Sequence, residues 1–242
     1  KIGTEVAKEA ADIVLLDDNF GSIVSGIEEG RSMYQTIQKV LLFLFSTNVG
    51  ELLVIIGALL LGFPLPVLPV QILWLNLVTD PFVGSALAFE PKEKGLLERT
   101  FKRPNKYLIN RRMAVRIAVM SLTMTIGTLF LFSKIYAGDM TKTWALTLTV
   151  LAIFQLFNAW NCRFEDKSLF RTNPFSNMFL VFGTLAVILL QIAAVHMPLL
   201  QRLLHTTALS LSEWGLAVGV GFSIVIVEEL RKLIQRRFEK TA

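Results

Sequence analysis

Six stretches of roughly twenty residues, near 40–63, 67–89, 113–136, 143–162, 175–197 and 209–227, hold almost no charge. A helix needs about 20 apolar residues to cross the hydrocarbon core of a bilayer, so each stretch is long enough to span one. Apolar residues make up 53% of the chain and charged residues 18%, against about a quarter charged in ordinary globular domains. A transmembrane barrel would need short segments of strict alternation, which these runs lack. The first two spans are joined only by Phe63-Pro64-Leu65-Pro66, so they form a helical hairpin. In the sixth, Gly215 and Gly219 make a small-xxx-small pair that allows close helix packing in lipid. The single cysteine, Cys162, cannot form an internal disulfide.

Lysine and arginine placement orients the bundle. Loop 90–112 carries Lys92, Lys94, Arg99, Lys102, Arg103, Lys106, Arg111 and Arg112. Loop 163–173, the tail from 228 and the first 39 residues bring that side to twenty basic residues, whereas the other side has Lys134, Lys142 and Arg202. Six spans with this asymmetry put both termini in the cytoplasm. The net charge of +5 is thus a matter of topology, and no nucleic-acid partner is needed to explain it.

Residues 1–39 differ in character, with seven acidic and four basic residues. The stretch 5–11 reads as helix, 12–17 (DIVLLD) as strand, Asp17-Asp18-Asn19 as a surface turn, and 20–38 as helix again. A signal peptide would be basic and then apolar, unlike this segment. The expectation is the end of a soluble α/β domain whose last helix continues into the first span. The start in mid-element, without an initiator Met, reads as that of a fragment.

Polar groups at bilayer depth concentrate in the hairpin. Asn48 and Glu51, three apart, share one helix face; Asn76, Thr79 and Asp80 share another on the next span. An ionised acid at mid-membrane costs roughly 2.5–3.5 kcal/mol on insertion scales. Interhelical hydrogen bonding alone is a poor reason for two of them on adjacent helices. The set supplies carboxylate, carbonyl and hydroxyl oxygens without thiolate or imidazole, which suits Ca2+, Na+ or protons rather than soft transition metals. Gly50 and Pro81 flank the acids and are expected to loosen the helices and free backbone carbonyls. Elsewhere, His196 and His205 read as exposed loop residues, Glu213 as an interface residue, and Glu228 and Glu229 as sitting where the last span leaves the bilayer. The basic stretch 231–240 reads as a positive-inside anchor rather than a calmodulin target.

Longer motifs carry a resemblance. GTEVAKEAADIVLLDDNFGSIVSGIEEGR at 3–31 resembles the end of the phosphorylation domain of P-type cation ATPases. STNVGE in the first span and WLNLVTD in the second resemble the fifth and sixth transmembrane helices of the type II, calcium-pump-like branch. FNAWNCRFEDKSLFR at 157–171 is similar to the end of the eighth helix and its loop, and VEELRKLIQRR at 227–237 to the exit of the tenth. The resemblance implies an all-α membrane protein: a six-helix transmembrane bundle over 37–242, preceded at 1–36 by a short remnant of a soluble α/β (HAD-like) phosphorylation domain and stalk. It implies an ATP-driven pump cycling through an aspartyl phosphate, with Asn48, Glu51, Asn76, Thr79 and Asp80 as ion ligands and Ca2+ as the ion exported from the cytosol. ATP and Mg2+ would bind upstream, in a part that also holds the first four helices, the actuator and the nucleotide-binding domain. The short loops and tail point to a plasma membrane.

Departures from the pattern are informative. The DKTGT and GDGVNDAP motifs and the fourth-helix PEGLP glutamate are absent from this chain, so it cannot hydrolyse ATP alone. Gln155 stands where two-site calcium pumps carry an acid, which argues against a second calcium site. After Asp80 the chain reads PFVG, where the family often has Gly or Ser and then Pro. A Na+ or H+ pump of the same family, a secondary cation transporter or channel, and a non-catalytic membrane scaffold remain the rival readings. Residues 1–36 made alone should be unfolded, because a partial α/β unit lacks its sheet partners; a cooperative melting transition by circular dichroism would place the boundary elsewhere.

Overall fold

The computed structural model describes residues 3–17, 19–92, 95, 97–98, 108–136 and 138–239, the side chains of 238 and 239 excepted. The elements are α1 (Glu5–Glu9), α2 (Phe20–Leu60), α3 (Pro69–Trp74), a π turn (Leu75–Thr79), α4 (Asp80–Ala88), α5 (Arg111–Ile135), α6 (Met140–Cys162), α7 (Met178–His196), α8 (Pro198–Leu204) and α9 (Leu211–Glu239). Six helical stretches are long and apolar enough to cross a membrane, with α3, the π turn and α4 counted as one. Each expected span is present. The second is broken in the middle, and the sixth runs on as helix through the basic tail.

Helix ends follow local chemistry. Asn19, Asn110, Asp139 and Asn177 each present a side-chain oxygen to a backbone N–H of the first turn of α2, α5, α6 and α7, the usual service of Asn and Asp at an N-cap. At the other end of α2, Gly62 takes a left-handed φ of 72°. The Phe63 N–H reaches the Ala58 carbonyl at 2.9 Å and the Gly62 N–H the Leu59 carbonyl at 3.1 Å. This left-handed cap closes the last turn and lets Pro64 start the crossing to α3. Helix α2 is otherwise continuous from the expected soluble segment into the membrane, as the sequence predicts.

Residues 12–17 form no strand, and no strand occurs among the described residues; a single strand has no neighbour here to take its backbone hydrogen bonds. Asp17 does make a turn, accepting from the Asn19 N–H and the Ser22 hydroxyl, and these bonds hold its carboxyl below the usual range. Asp18 lies outside the described residues, as do Lys94, Arg99, Lys102, Arg103, Lys106 and Lys240 of the topology argument. Nor do Gly215 and Gly219 make a close contact, since a Cβ at either would meet nothing within 4 Å. Gly221 does so instead: a Cβ there would lie 2.5 Å from Ile153 Cγ2 of α6.

Helix α6 is buried on nearly every side, and α2, α5, α7, α9 and the broken helix surround it. Where one end of this bundle holds charge, it holds it in pairs. Arg116 of α5 donates to Glu228 of α9 at 2.8 Å, with Glu228 fully buried, and Arg231 binds the same carboxylate at 2.8 Å. Arg163 donates to Glu90 through Nε and Nη2 at 2.9–3.1 Å, the guanidinium being fully buried. Glu228 therefore belongs to the core and is not simply leaving the bilayer. Glu229 instead accepts from Lys232 at 3.0 Å. Breaking a buried pair leaves an uncompensated charge, a loss of about 3–5 kcal/mol. Glu228→Ala should lower the thermal unfolding temperature of the detergent-solubilised full-length protein strongly, and the double change Arg116→Met with Glu228→Met should recover part of the loss; equal stability of Glu228→Ala and the parent would show the pair to be idle.

Candidate functional site

The hairpin brings the two polar faces together. Asn76 Nδ2 donates to Glu51 Oε2 at 3.1 Å, and Asn48 Nδ2 donates to Asp80 Oδ2 at 3.4 Å. Each amide is held by its own helix as well, Asn48 on the Leu44 carbonyl at 2.8 Å and Asn76 on the Ile72 carbonyl at 3.0 Å. The pairing is crossed: each helix supplies one acid and one amide, and the amide serves the acid opposite. Glu51, Thr79 and Asp80 are buried, Asn76 is half-buried, and Asn48 lies at the exposed edge.

A third helix takes part. Gln155 of α6, wholly buried, donates Nε2 to Glu51 Oε1 at 2.6 Å. One turn along, Asn158 donates to Ser46 Oγ at 2.6 Å, and Ser121 of α5 donates to the Ser46 carbonyl at 2.9 Å. These bonds fix α2 against α5 and α6 beside the acids. The sequence marks this face: Gln155, Asn158 and Asn161 recur every three residues in a charge-free span. That periodicity was the available signal for Asn158 and for the contact of Gln155 with Glu51.

Pro81 and Gly50 act differently from each other. The Asp80 N–H bonds to the Leu75 carbonyl, five residues back. Proline has no N–H, so Pro81 cannot make the next bond of that register, to the carbonyl of Asn76. Irregular backbone at membrane depth is tolerated where protein or a cavity surrounds it, and single π turns are frequent at functional sites. The expectation for Pro81 thus meets a broken helix. Gly50 loosens nothing: α2 runs through it as regular helix, and a Cβ there would press on Met124 Sδ at 3.2 Å. It is a contact glycine between α2 and α5.

Three of the six unpartnered buried side-chain atoms among the described residues lie beside the acids, the others being on Thr128, Asn161 and Arg163. Thr79 Oγ1, Asp80 Oδ1 and Gln155 Oε1 are buried with no hydrogen-bond partner. All three are oxygens, and buried polar atoms are ordinarily paired. The histidines lie elsewhere and exposed, His196 at the end of α7 and His205 after α8. Glu213 accepts from Lys142 at 2.8 Å. No cluster of three His, Cys, Asp or Glu side chains occurs among the described residues, so any ion here would rely on two acids supplemented by neutral oxygens.

The family model described as "Cation transporting ATPase, C-terminus" matches residues 64–234. The chain is 36% identical over 221 residues to a calcium-transporting ATPase of Bacillus subtilis (strain 168), covering 90% of this chain and 25% of that protein. It is 32% identical to the calcium-transporting ATPase type 2C member 1 of Homo sapiens, over 98% of this chain and 26% of the relative. A probable cation-transporting ATPase F of Mycobacterium bovis is 33% identical, over 97% of this chain and 26% of its own length. The chain spans about a quarter of the length of these relatives.

Proposed function

The chain belongs to the P-type cation-transporting ATPases, matching their C-terminal membrane part, and we propose that residues 37–242 are the transport half of a pump that moves Ca2+ out of the cytosol. The observation that carries this reading is a charge imbalance. Among the described residues, the buried acids Glu90 and Glu228 each face a guanidinium, whereas Glu51 and Asp80 face only amides. Two acids at this depth without a cation make a site for one. The ligands would be the Glu51 and Asp80 carboxylates, with oxygens of Asn48, Asn76 and Thr79. A hard divalent ion fits such a set, and the similarity to calcium-transporting ATPases favours calcium.

In this reading ATP and Mg2+ bind outside the chain, on upstream domains whose work reaches the membrane through residues 1–36 and the continuous helix α2. Both termini are cytoplasmic and the membrane is the plasma membrane. In the full-length protein, Asp80→Asn and Glu51→Gln should each abolish Ca2+-dependent phosphorylation from ATP while expression persists. Near-normal ion activation in both would overturn the assignment, and activation by Na+ or by protons in place of Ca2+ would reassign the ion.

Stoichiometry follows from charge. Two Ca2+ bring four positive charges, and the two acids seen here, with one more carried by the family's fourth helix, neutralise three. Gln155 offers a neutral oxygen and already donates to Glu51. We therefore expect one Ca2+ per phosphorylation site; equilibrium radiocalcium binding against phosphoenzyme capacity would give a ratio near two if this is wrong.

A further inference from the structure

We propose that α7, which contributes no oxygen to the acid cluster, holds the π turn in register, with Gln191 as a positioning residue just before the turn and Asn177 beyond it, near the end of the broken helix. The proposal rests on the reading of Glu51 and Asp80 as a cation site.

Gln191 is 2% exposed in the apolar stretch of α7. Its Oε1 accepts from Trp74 Nε1 at 3.3 Å, and its Nε2 donates to Thr149 Oγ1 of α6 at 3.1 Å. Neither neighbour can exchange roles. An indole N–H only donates, and the Thr149 hydroxyl proton is committed to the Ala145 carbonyl at 2.8 Å. The amide therefore fits in one orientation and ties three helices together. Trp74 is the residue immediately before the π turn.

Past the turn, α7 grips the same broken helix again. A Cβ on Gly183 would stand 2.8 Å from the Phe82 carbonyl oxygen, so only glycine admits α4 this close. Asn177, 1% exposed, caps α7 through Oδ1 and donates Nδ2 to the Ala86 carbonyl at 3.0 Å and to Glu90 Oε2 at 2.7 Å. Glu90 is in turn fixed by Arg163.

What these contacts restrain is a choice of register. A π turn holds one residue more than α-helical geometry needs, and Pro81 removes a bond from its ladder. Relaxing it to α geometry would turn the preceding segment by about 100°, the angle per residue at 3.6 residues per turn. Asn76 would leave Glu51, and Trp74 would leave Gln191. With Trp74 before the turn and Phe82 and Ala86 after it all held by α7 and its N-cap residue, that rotation is opposed on both sides of the turn.

The test compares four full-length proteins in native membranes: parent, Gln191→Met, Thr184→Val and Asp80→Asn. Thr184→Val removes another indole partner on α7, that of Trp160 at 3.0 Å, but touches no part of the broken helix. Gln191→Met should raise the half-saturating Ca2+ concentration for phosphorylation by about tenfold, the scale of one buried hydrogen bond with an orphaned donor. Its ATP dependence and its phosphorylation by inorganic phosphate without Ca2+ should match the parent, and so should all three readouts in Thr184→Val. Parental Ca2+ dependence in Gln191→Met, or an equal loss in Thr184→Val, would overturn the proposal. If Gln191→Met fails to accumulate, Gln191→Asn, too short to reach both partners, is read the same way. Asp80→Asn separates the two claims: normal Ca2+ activation there defeats the site itself, whereas its loss beside a parental Gln191→Met defeats only the role of α7.

Discussion

Two carboxylates inside an apolar bundle impose the condition that the rest of the structure satisfies. Water cannot solvate Glu51 and Asp80 there, so donors must come from neighbouring helices, and each helix must be held where its donor reaches. Asn48 and Asn76 are supplied by the hairpin itself and Gln155 by α6. The demand for a third donor explains why α6 is central and carries an unbroken polar face from Gln155 to Asn161, although its span is free of charge. Ser46, whose carbonyl and hydroxyl bind α5 and α6 in turn, sets α2 at the height where these donors converge.

The contrast between the two polar layers is physical. Near the basic end of the bundle the acids are matched to guanidinium and ammonium groups, and matched pairs fasten helices without inviting a ligand. At mid-depth the acids have amides only, which orient a carboxylate while leaving its charge uncancelled. A guanidinium at the position of Gln155 would cancel that charge. The neutral amide gives Glu51 one bond and still presents an unpartnered oxygen.

Much of this was legible in the sequence, for identifiable reasons. Spans, hairpin and the facing of Asn48 and Glu51 towards Asn76 and Asp80 follow from hydropathy and from the three- and four-residue spacing of polar groups, both of which are local. The π turn was only half legible, since Pro81 announces a break without saying whether the helix kinks, unwinds or widens. Arg116 gave no warning, because a cation inside an apolar span acquires its meaning from Glu228, 112 residues away. The strand expected at 12–17 failed for a related reason: β structure is a property of pairs, and alternation in one segment cannot supply the partner. Gly215 and Gly219 had the right spacing and the wrong face, which packing alone decides.

The two arms of the hairpin differ in form, one a continuous helix and the other broken by a π turn. Helix α2 is 41 residues long without a break, about 60 Å at 1.5 Å per residue, roughly twice the hydrocarbon thickness of a bilayer. Glu51 therefore sits on a rod whose other end stands well outside the membrane, with exposed apolar residues such as Phe20 and Ile27 along it. Asp80 sits just beyond a widened turn, on a helix pinned by α6 and α7. Gly50, closely packed on Met124, marks where the rod meets α5, and a side chain there would push α2 away from α5.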